Sequence, residues 1–131
     1  MDARKAVQIL LVEDDVRTAK ILAKMLREDG FRVEMATDGA VAVGRLSHPP
    51  LPDLLIADVR LPHVDGIAVA RYARSLDPAM PIILTTSYAQ QAMTAEMRPP
   101  PAIFAKPYEY RALAAEIERM VYGSTGASMT G

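Results

Sequence analysis

The chain contains no cysteine among its 131 residues, which excludes disulfide bonds, thiolate catalysis and zinc–thiolate sites. It also lacks an excess of either charge, since 15 basic and 16 acidic residues leave a net charge of −1. Direct binding of nucleic acid therefore has little electrostatic support. Long apolar runs are missing too: none approaches the roughly 20 residues of a membrane-spanning helix, and the apolar segment near the N-terminus is too short for a signal peptide. These absences favour a soluble, cytoplasmic protein with no membrane segment.

Short apolar runs alternate with stretches of helical spacing along the whole chain. The apolar runs predict five strands, at 7–12, 31–36, 53–57, 81–86 and 102–105. The intervening stretches predict five helices, at 15–29, 37–47, 65–76, 89–97 and 109–122. Five such units predict an α/β fold, a doubly wound parallel sheet of the flavodoxin-like (βα)5 type with strand order 2-1-3-4-5. One domain is expected over residues 1–122, followed by a disordered tail over 123–131.

Residues able to do chemistry stand at the ends of four predicted strands: Glu13, Asp14, Asp58, Thr86 and Lys106. In the order 2-1-3-4-5, strands 1 and 3 are neighbours, which places the three acids in one crevice. Open α/β sheets bind their ligands at this carboxyl edge. Asp15, the next acid along, is better explained as the N-cap of the first helix than as a further metal ligand.

The charges of this group imply a bound cation. Three carboxylates face the single ammonium of Lys106, which leaves a deficit of two positive charges. A divalent cation makes up that deficit, and carboxylate ligands suit Mg²⁺ or Mn²⁺. Asp58 is the natural nucleophile, because a carboxylate can form an aspartyl-phosphate. The Thr86 hydroxyl and the Lys106 ammonium can donate to phosphoryl oxygens.

Four segments in this order resemble the receiver domains of two-component response regulators. Residues 12–15 resemble the family's acidic pair, and 52–66 its phosphoacceptor segment. Residues 81–86 are similar to the strand that carries the family's hydroxyl, and Lys106–Pro107 to its lysine followed by a cis-proline. The resemblance covers about residues 7–122.

The resemblance implies a phosphorelay protein, in which Asp58 receives a phosphoryl group from a histidine kinase or a phosphotransfer protein. Glu13, Asp14, Asp58 and the backbone carbonyl of Arg60 would hold Mg²⁺, while Thr86 and Lys106 would bind the phosphoryl group. Such a domain is no enzyme in the usual sense, because it catalyses only its own phosphorylation and dephosphorylation.

The same resemblance implies an output. A downstream protein would bind the face of the fourth helix, strand 5 and the fifth helix, and the domain would be a monomer or a phosphorylation-dependent dimer. Two departures bear on that face: Ile103 replaces the aromatic residue usual three positions before the lysine, and 99–101 is a proline run. Arg60 and Tyr88 flank the expected path of the hydrolytic water, which predicts a long-lived phosphoryl group.

Four other interpretations are open to the sequence. The chain could be the receiver fragment of a larger regulator or of a hybrid histidine kinase. A Mg²⁺-dependent phosphatase with an aspartyl-phosphate intermediate commonly needs a second acid two residues after the nucleophile, where this chain has Arg60. A pseudo-receiver would lack some of the site residues, all of which are present. A flavin binder would need a phosphate-cradling loop after strand 1, where this chain has acids instead.

Overall fold

The structure, a computed structural model, describes residues 6–87 and 96–129, with side chains as far as 123. The strands are β1 (Gln8–Val12), β2 (Arg32–Ala36), β3 (Leu54–Asp58), β4 (Ile82–Thr86) and β5 (Ala102–Ala105). The helices are α1 (Val16–Glu28), α2 (Gly39–Leu46), α3 (Gly66–Leu76) and α4 (Tyr110–Met129). Among these helices, none combines the length and the apolar character that crossing a bilayer requires.

All five strands are parallel and lie in the order β2-β1-β3-β4-β5, which confirms the predicted topology. The register pairs Val12 of β1 with Ala57 of β3, and Asp58 of β3 with Thr85 of β4. The ends of the three central strands therefore lie side by side at one edge of the sheet. Helices cover both faces, so these strands consist of continuous apolar runs rather than alternating ones.

Two apolar layers hold the helices to the sheet. On one face, α1 and α4 pack against alternate strand residues; the buried members include Ile9, Leu11, Leu22, Leu26, Ile56, Leu113 and Ile117. On the other face, α2 and α3 pack against the remaining strand residues; these include Leu10, Val12, Leu46, Leu55, Val69, Ile82 and Leu84. Successive strand side chains point to opposite faces, so one five-residue strand contributes to both layers.

The boundaries of α1 follow the sequence signals. Asp15 is the N-cap, and its side chain accepts hydrogen bonds from the backbone N–H groups of Arg17 at 3.1 Å and Thr18 at 3.3 Å. The helix ends before Gly30, whose φ of 97° is a left-handed conformation that glycine adopts at little cost. The predicted cap and stop are both confirmed.

The last third of the chain differs from the sequence prediction in two respects. Most of the predicted fourth helix, 89–97, lies outside the described residues, and Glu96 and Met97 at its end are not helical. The predicted fifth helix is α4, which extends past the predicted end at Tyr122 to Met129 with a break in helical geometry at Gly123, and the disorder expected over 123–131 stays a prediction. Residues 124–129 contain no proline, and Gly123 allows the change of direction between the two helical parts with φ 76° and ψ 154°.

Candidate functional site

Three carboxylates meet at the carboxyl edge of the sheet. Asp58 is the last residue of β3, and Glu13 and Asp14 directly follow β1. One oxygen from each of these three side chains lies within 4.8 Å of the others. Asp58 and Glu13 are buried, whereas Asp14 is exposed to solvent. The strand order predicted this meeting, because it makes β1 and β3 neighbours.

Lys106 lies directly after β5 and its ammonium group joins the two buried acids. Its Nζ donates to Asp58 Oδ2 at 2.6 Å and to Glu13 Oε1 at 3.1 Å. The backbone N–H of Lys106 donates to the Thr86 carbonyl at 2.8 Å, and the following bond to Pro107 is cis, as the family resemblance implies. Burial lowers the pKa of Lys106, but the hydrogen bonds and charges of the two acids outweigh it and raise the pKa above its ordinary value. Lys106 is therefore a cation at neutral pH.

Glu13 is held in a fixed position by its neighbours. Its Oε2 accepts a hydrogen bond from the backbone N–H of Asp15 at 3.1 Å, and its Oε1 accepts from Lys106. Burial raises the pKa of Glu13, and these two hydrogen bonds oppose the rise. The side chain of Asp15 caps α1, and its backbone N–H is the group that contacts Glu13.

The loop after Asp58 is tied to both the acceptor and α3. The backbone N–H of Arg60 donates to Asp58 Oδ1 at 3.1 Å, and the N–H of Gly66 donates to the Val59 carbonyl at 2.8 Å. A Cβ atom at position 66 would lie 2.1 Å from the carbonyl oxygen of Asp58. Only glycine allows the first turn of α3 to approach the acceptor this closely. The carboxylate of Asp58 therefore has both oxygens hydrogen-bonded and a fixed backbone.

Two further predicted residues, Thr86 and Arg60, lie at the same edge. Thr86 is the buried last residue of β4, and its neighbour Ala105 immediately precedes Lys106. Arg60 is exposed, and Tyr88 lies outside the described residues. The sequence gives no sign of the close approach of Gly66, because the pair Asp65-Gly66 is typical of an ordinary turn and helix cap. That cap is present, since Asp65 Oδ1 accepts from the N–H of Ala68 at 2.8 Å.

The donor set fits a divalent cation. The three carboxylates offer only oxygen ligands, which suit Mg²⁺ and Mn²⁺. Carboxylates about 4 Å apart repel by roughly 4 kcal/mol near a protein surface. The Lys106 ammonium offsets one of the three negative charges and leaves two. A bound divalent ion would remove that excess.

Comparison with known proteins identifies the family. The family model of the response regulator receiver domain matches residues 9–118. This chain belongs to the response regulator receiver domain family. The receiver is similar to the response regulator receiver protein CpdR of Brucella abortus, with 36% identity over 116 residues that cover 87% of this chain and 96% of that protein. It is 31% identical over 115 residues to the transcriptional regulatory protein ZraR of Escherichia coli, of which it spans 26%.

Solved receiver structures share the fold. The receiver domain of the sensor histidine kinase PA1611 from Pseudomonas aeruginosa superposes with a TM-score of 0.76 at 30% identity, covering 89% of this chain and 98% of that one. That structure has a magnesium ion coordinated in its active-site cleft. A CheY-like receiver from Methanospirillum hungatei gives a TM-score of 0.81, with 93% of this chain and 99% of that one covered. At 24% identity this second likeness concerns the fold alone.

Alanine in place of Asp14 should weaken Mg²⁺ binding strongly, because it removes one of three clustered carboxylates. Asp15→Ala is the matched control at the adjacent position. It should lower the free energy of unfolding by about 1 kcal/mol through loss of the helix cap and change Mg²⁺ affinity much less. Calorimetric Mg²⁺ titration and urea unfolding of both variants measure the two effects. Equal losses of affinity in the two variants would contradict this division of roles.

Proposed function

We propose that this receiver takes a phosphoryl group onto Asp58 from a histidine kinase or a phosphotransfer protein and thereby changes its binding to a downstream partner. The observation that carries the proposal is the position of the Asp58 carboxylate. It is buried at the tip of β3, with Lys106 Nζ 2.6 Å from Oδ2 and the Arg60 N–H 3.1 Å from Oδ1. These contacts support a nucleophile whose orientation is set before the donor arrives.

In the transfer, a carboxylate oxygen of Asp58 forms a bond to phosphorus as the bond from phosphorus to the donor atom breaks. The electron pair of the broken bond leaves with the donor, an imidazole nitrogen of the kinase or phosphotransfer protein. The phosphoryl oxygens are negatively charged, so the ammonium of Lys106 and the hydroxyl of Thr86 would stabilise them as donors. Both residues lie beside Asp58 at the same edge of the sheet.

Mg²⁺, or Mn²⁺ in its place, is the cofactor that the donor set supports. Glu13, Asp14, Asp58 and the carbonyl of Arg60 would hold it. When bound, the ion supplies positive charge that offsets the clustered carboxylates and the incoming phosphoryl oxygens. The chain's own residues then have the tasks of holding the ion and orienting Asp58. The domain acts only on itself, catalysing its own phosphorylation and dephosphorylation.

The change in partner binding would begin at Lys106. Before phosphorylation its ammonium lies between Asp58 and Glu13, and a phosphoryl group would offer new oxygens to the same ammonium. Such a differential contact can shift a conformational equilibrium. The output face proposed comprises the predicted fourth helix over 89–97, most of which lies outside the described residues, together with β5 and α4. The domain would be cytoplasmic and monomeric, or would dimerise on phosphorylation. The same site would serve in a longer regulator or hybrid kinase, since the chain spans only a quarter of ZraR. A Mg²⁺-dependent phosphatase with an aspartyl-phosphate intermediate commonly needs a second acid two residues after the nucleophile. Arg60 occupies that position here, which argues against this alternative.

Replacing Asp58 with asparagine should abolish labelling by a cognate kinase or by acetyl phosphate with Mg²⁺, because an amide is not a nucleophile toward phosphorus. Asp53→Asn is the matched control, since Asp53 is an exposed acid just before the same strand and should leave labelling intact. Phosphoprotein gels and intact-mass spectra measure the outcome. Full labelling of Asp58→Asn would refute the assignment, unless the mass spectra place the phosphate on a neighbouring acid.

Lys106→Ala should separate phosphorylation from the structural response while leaving Asp58 partly reactive. Its ammonium makes the contact that differs between the two states. Lys24→Ala is the control, because Lys24 is an exposed lysine of α1 paired with Glu28. Amide NMR spectra with and without Mg²⁺ and beryllofluoride, which imitates the phosphoryl group, report the response. Chemical-shift changes of native size in the Lys106 variant would show that the structural response does not begin at Lys106.

A further inference from the structure

The first residue of α2 touches the loop that follows the phosphoacceptor. Gly39 is buried, and its backbone N–H donates to the carbonyl of Pro62 at 3.3 Å. A Cβ atom at position 39 would lie 1.7 Å from the carbonyl oxygen of Val64 and 2.6 Å from its carbonyl carbon. These neighbouring atoms belong to the backbone, so no rotation of a side chain can relieve the overlap.

The tip of this loop has an unusual backbone that its surroundings maintain. His63 has a φ of 69°, a left-handed conformation that is uncommon for a residue with a side chain. Its ring Nδ1 lies 3.6 Å from Oδ2 of Asp38, the N-cap of α2. The N–H of Val64 also donates to the Pro62 carbonyl at 2.8 Å. Residues 62–64 are therefore held in one shape against the start of α2.

The other end of the loop is fixed at the acceptor itself, through the hydrogen bond from Gly66 to Val59 and the close approach of Gly66 to Asp58. The loop thus runs between two glycine contacts, one with α3 and one with α2. Arg60, whose carbonyl is the proposed backbone ligand of Mg²⁺, lies between them.

We propose that Gly39 is a positioning residue for the metal site, which acts by keeping the loop over residues 59–65 in the conformation that presents the Arg60 carbonyl. The inference rests on the proposed function, because it concerns that site's metal. Its physical basis is that a side chain at position 39 must displace the Val64 backbone. Displacement at the tip is transmitted to Arg60, since the acceptor end of the loop cannot move with it.

Gly39→Ala tests the inference, and Gly44→Ala is its matched control. Gly44 lies in the same helix, and a Cβ atom there would meet nothing within 4 Å. Loss of groups that orient metal ligands typically weakens metal affinity by 10- to 100-fold. Gly39→Ala should therefore bind Mg²⁺ at least about tenfold more weakly by calorimetry, whereas Gly44→Ala should bind as the native protein does. Acetyl phosphate labelling of Gly39→Ala should need more Mg²⁺ but reach the native maximum.

Unfolding with and without Mg²⁺ separates positioning from a purely structural role. Gly39→Ala should fold without metal. Mg²⁺ should raise its thermal midpoint by less than it raises that of Gly44→Ala. An equal Mg²⁺-induced rise of the thermal midpoint in Gly39→Ala and in the control would overturn the inference. So would a Gly39→Ala protein that is unfolded both with and without Mg²⁺. Failure of the proposed function would instead appear as labelling that survives Asp58→Asn.

Discussion

The ion pairs of Lys106 with Asp58 and Glu13 are the interaction on which the site depends. They join β5 to the ends of β3 and β1, so a single ammonium group connects three strands at the carboxyl edge. The pairing offsets the cost of burying the carboxylates of Asp58 and Glu13. With Asp14 included, the cluster still carries two uncompensated negative charges. The remaining negative charge favours a divalent cation, which would also offset the charge of incoming phosphoryl oxygens.

Most of the site could be predicted from sequence, because its residues follow apolar runs that end at one edge of a parallel sheet. Strand order then brings Glu13, Asp14 and Asp58 together with no further information. The contacts of Gly39 and Gly66 could not be predicted, since they depend on how closely two helices approach the loop after β3. A sequence shows that glycine is present there, but the distance to the neighbouring carbonyl oxygens exists only in the folded chain.

The segment before β5 shows a second limit of sequence reasoning. The proline run indicates where a helix stops but not what holds the segment in place. In the structure Arg74 of α3 donates to the carbonyls of Met80 at 2.8 Å and Pro99 at 2.7 Å, which ties the segment to α3. Ile103 lies half-buried in β5, whereas Phe104 packs toward α1 and α4. The ring of Phe104 makes an edge-to-face contact with the ring of Tyr108, with 5.9 Å between the ring centroids. The aromatic pair near Lys106 is thus on the opposite face of the sheet from Ile103.

The central claim is that Asp58 carries the phosphoryl group, and chemical trapping of the native protein tests it most directly. Borohydride reduces an aspartyl-phosphate to homoserine, which peptide mass spectrometry locates in the sequence. After treatment with acetyl phosphate and Mg²⁺, the account predicts homoserine at position 58 and at no other acid, with none formed when the metal is chelated. Homoserine at position 14 or 15 in its place, or no trapped product despite measured phosphate incorporation, would contradict the account.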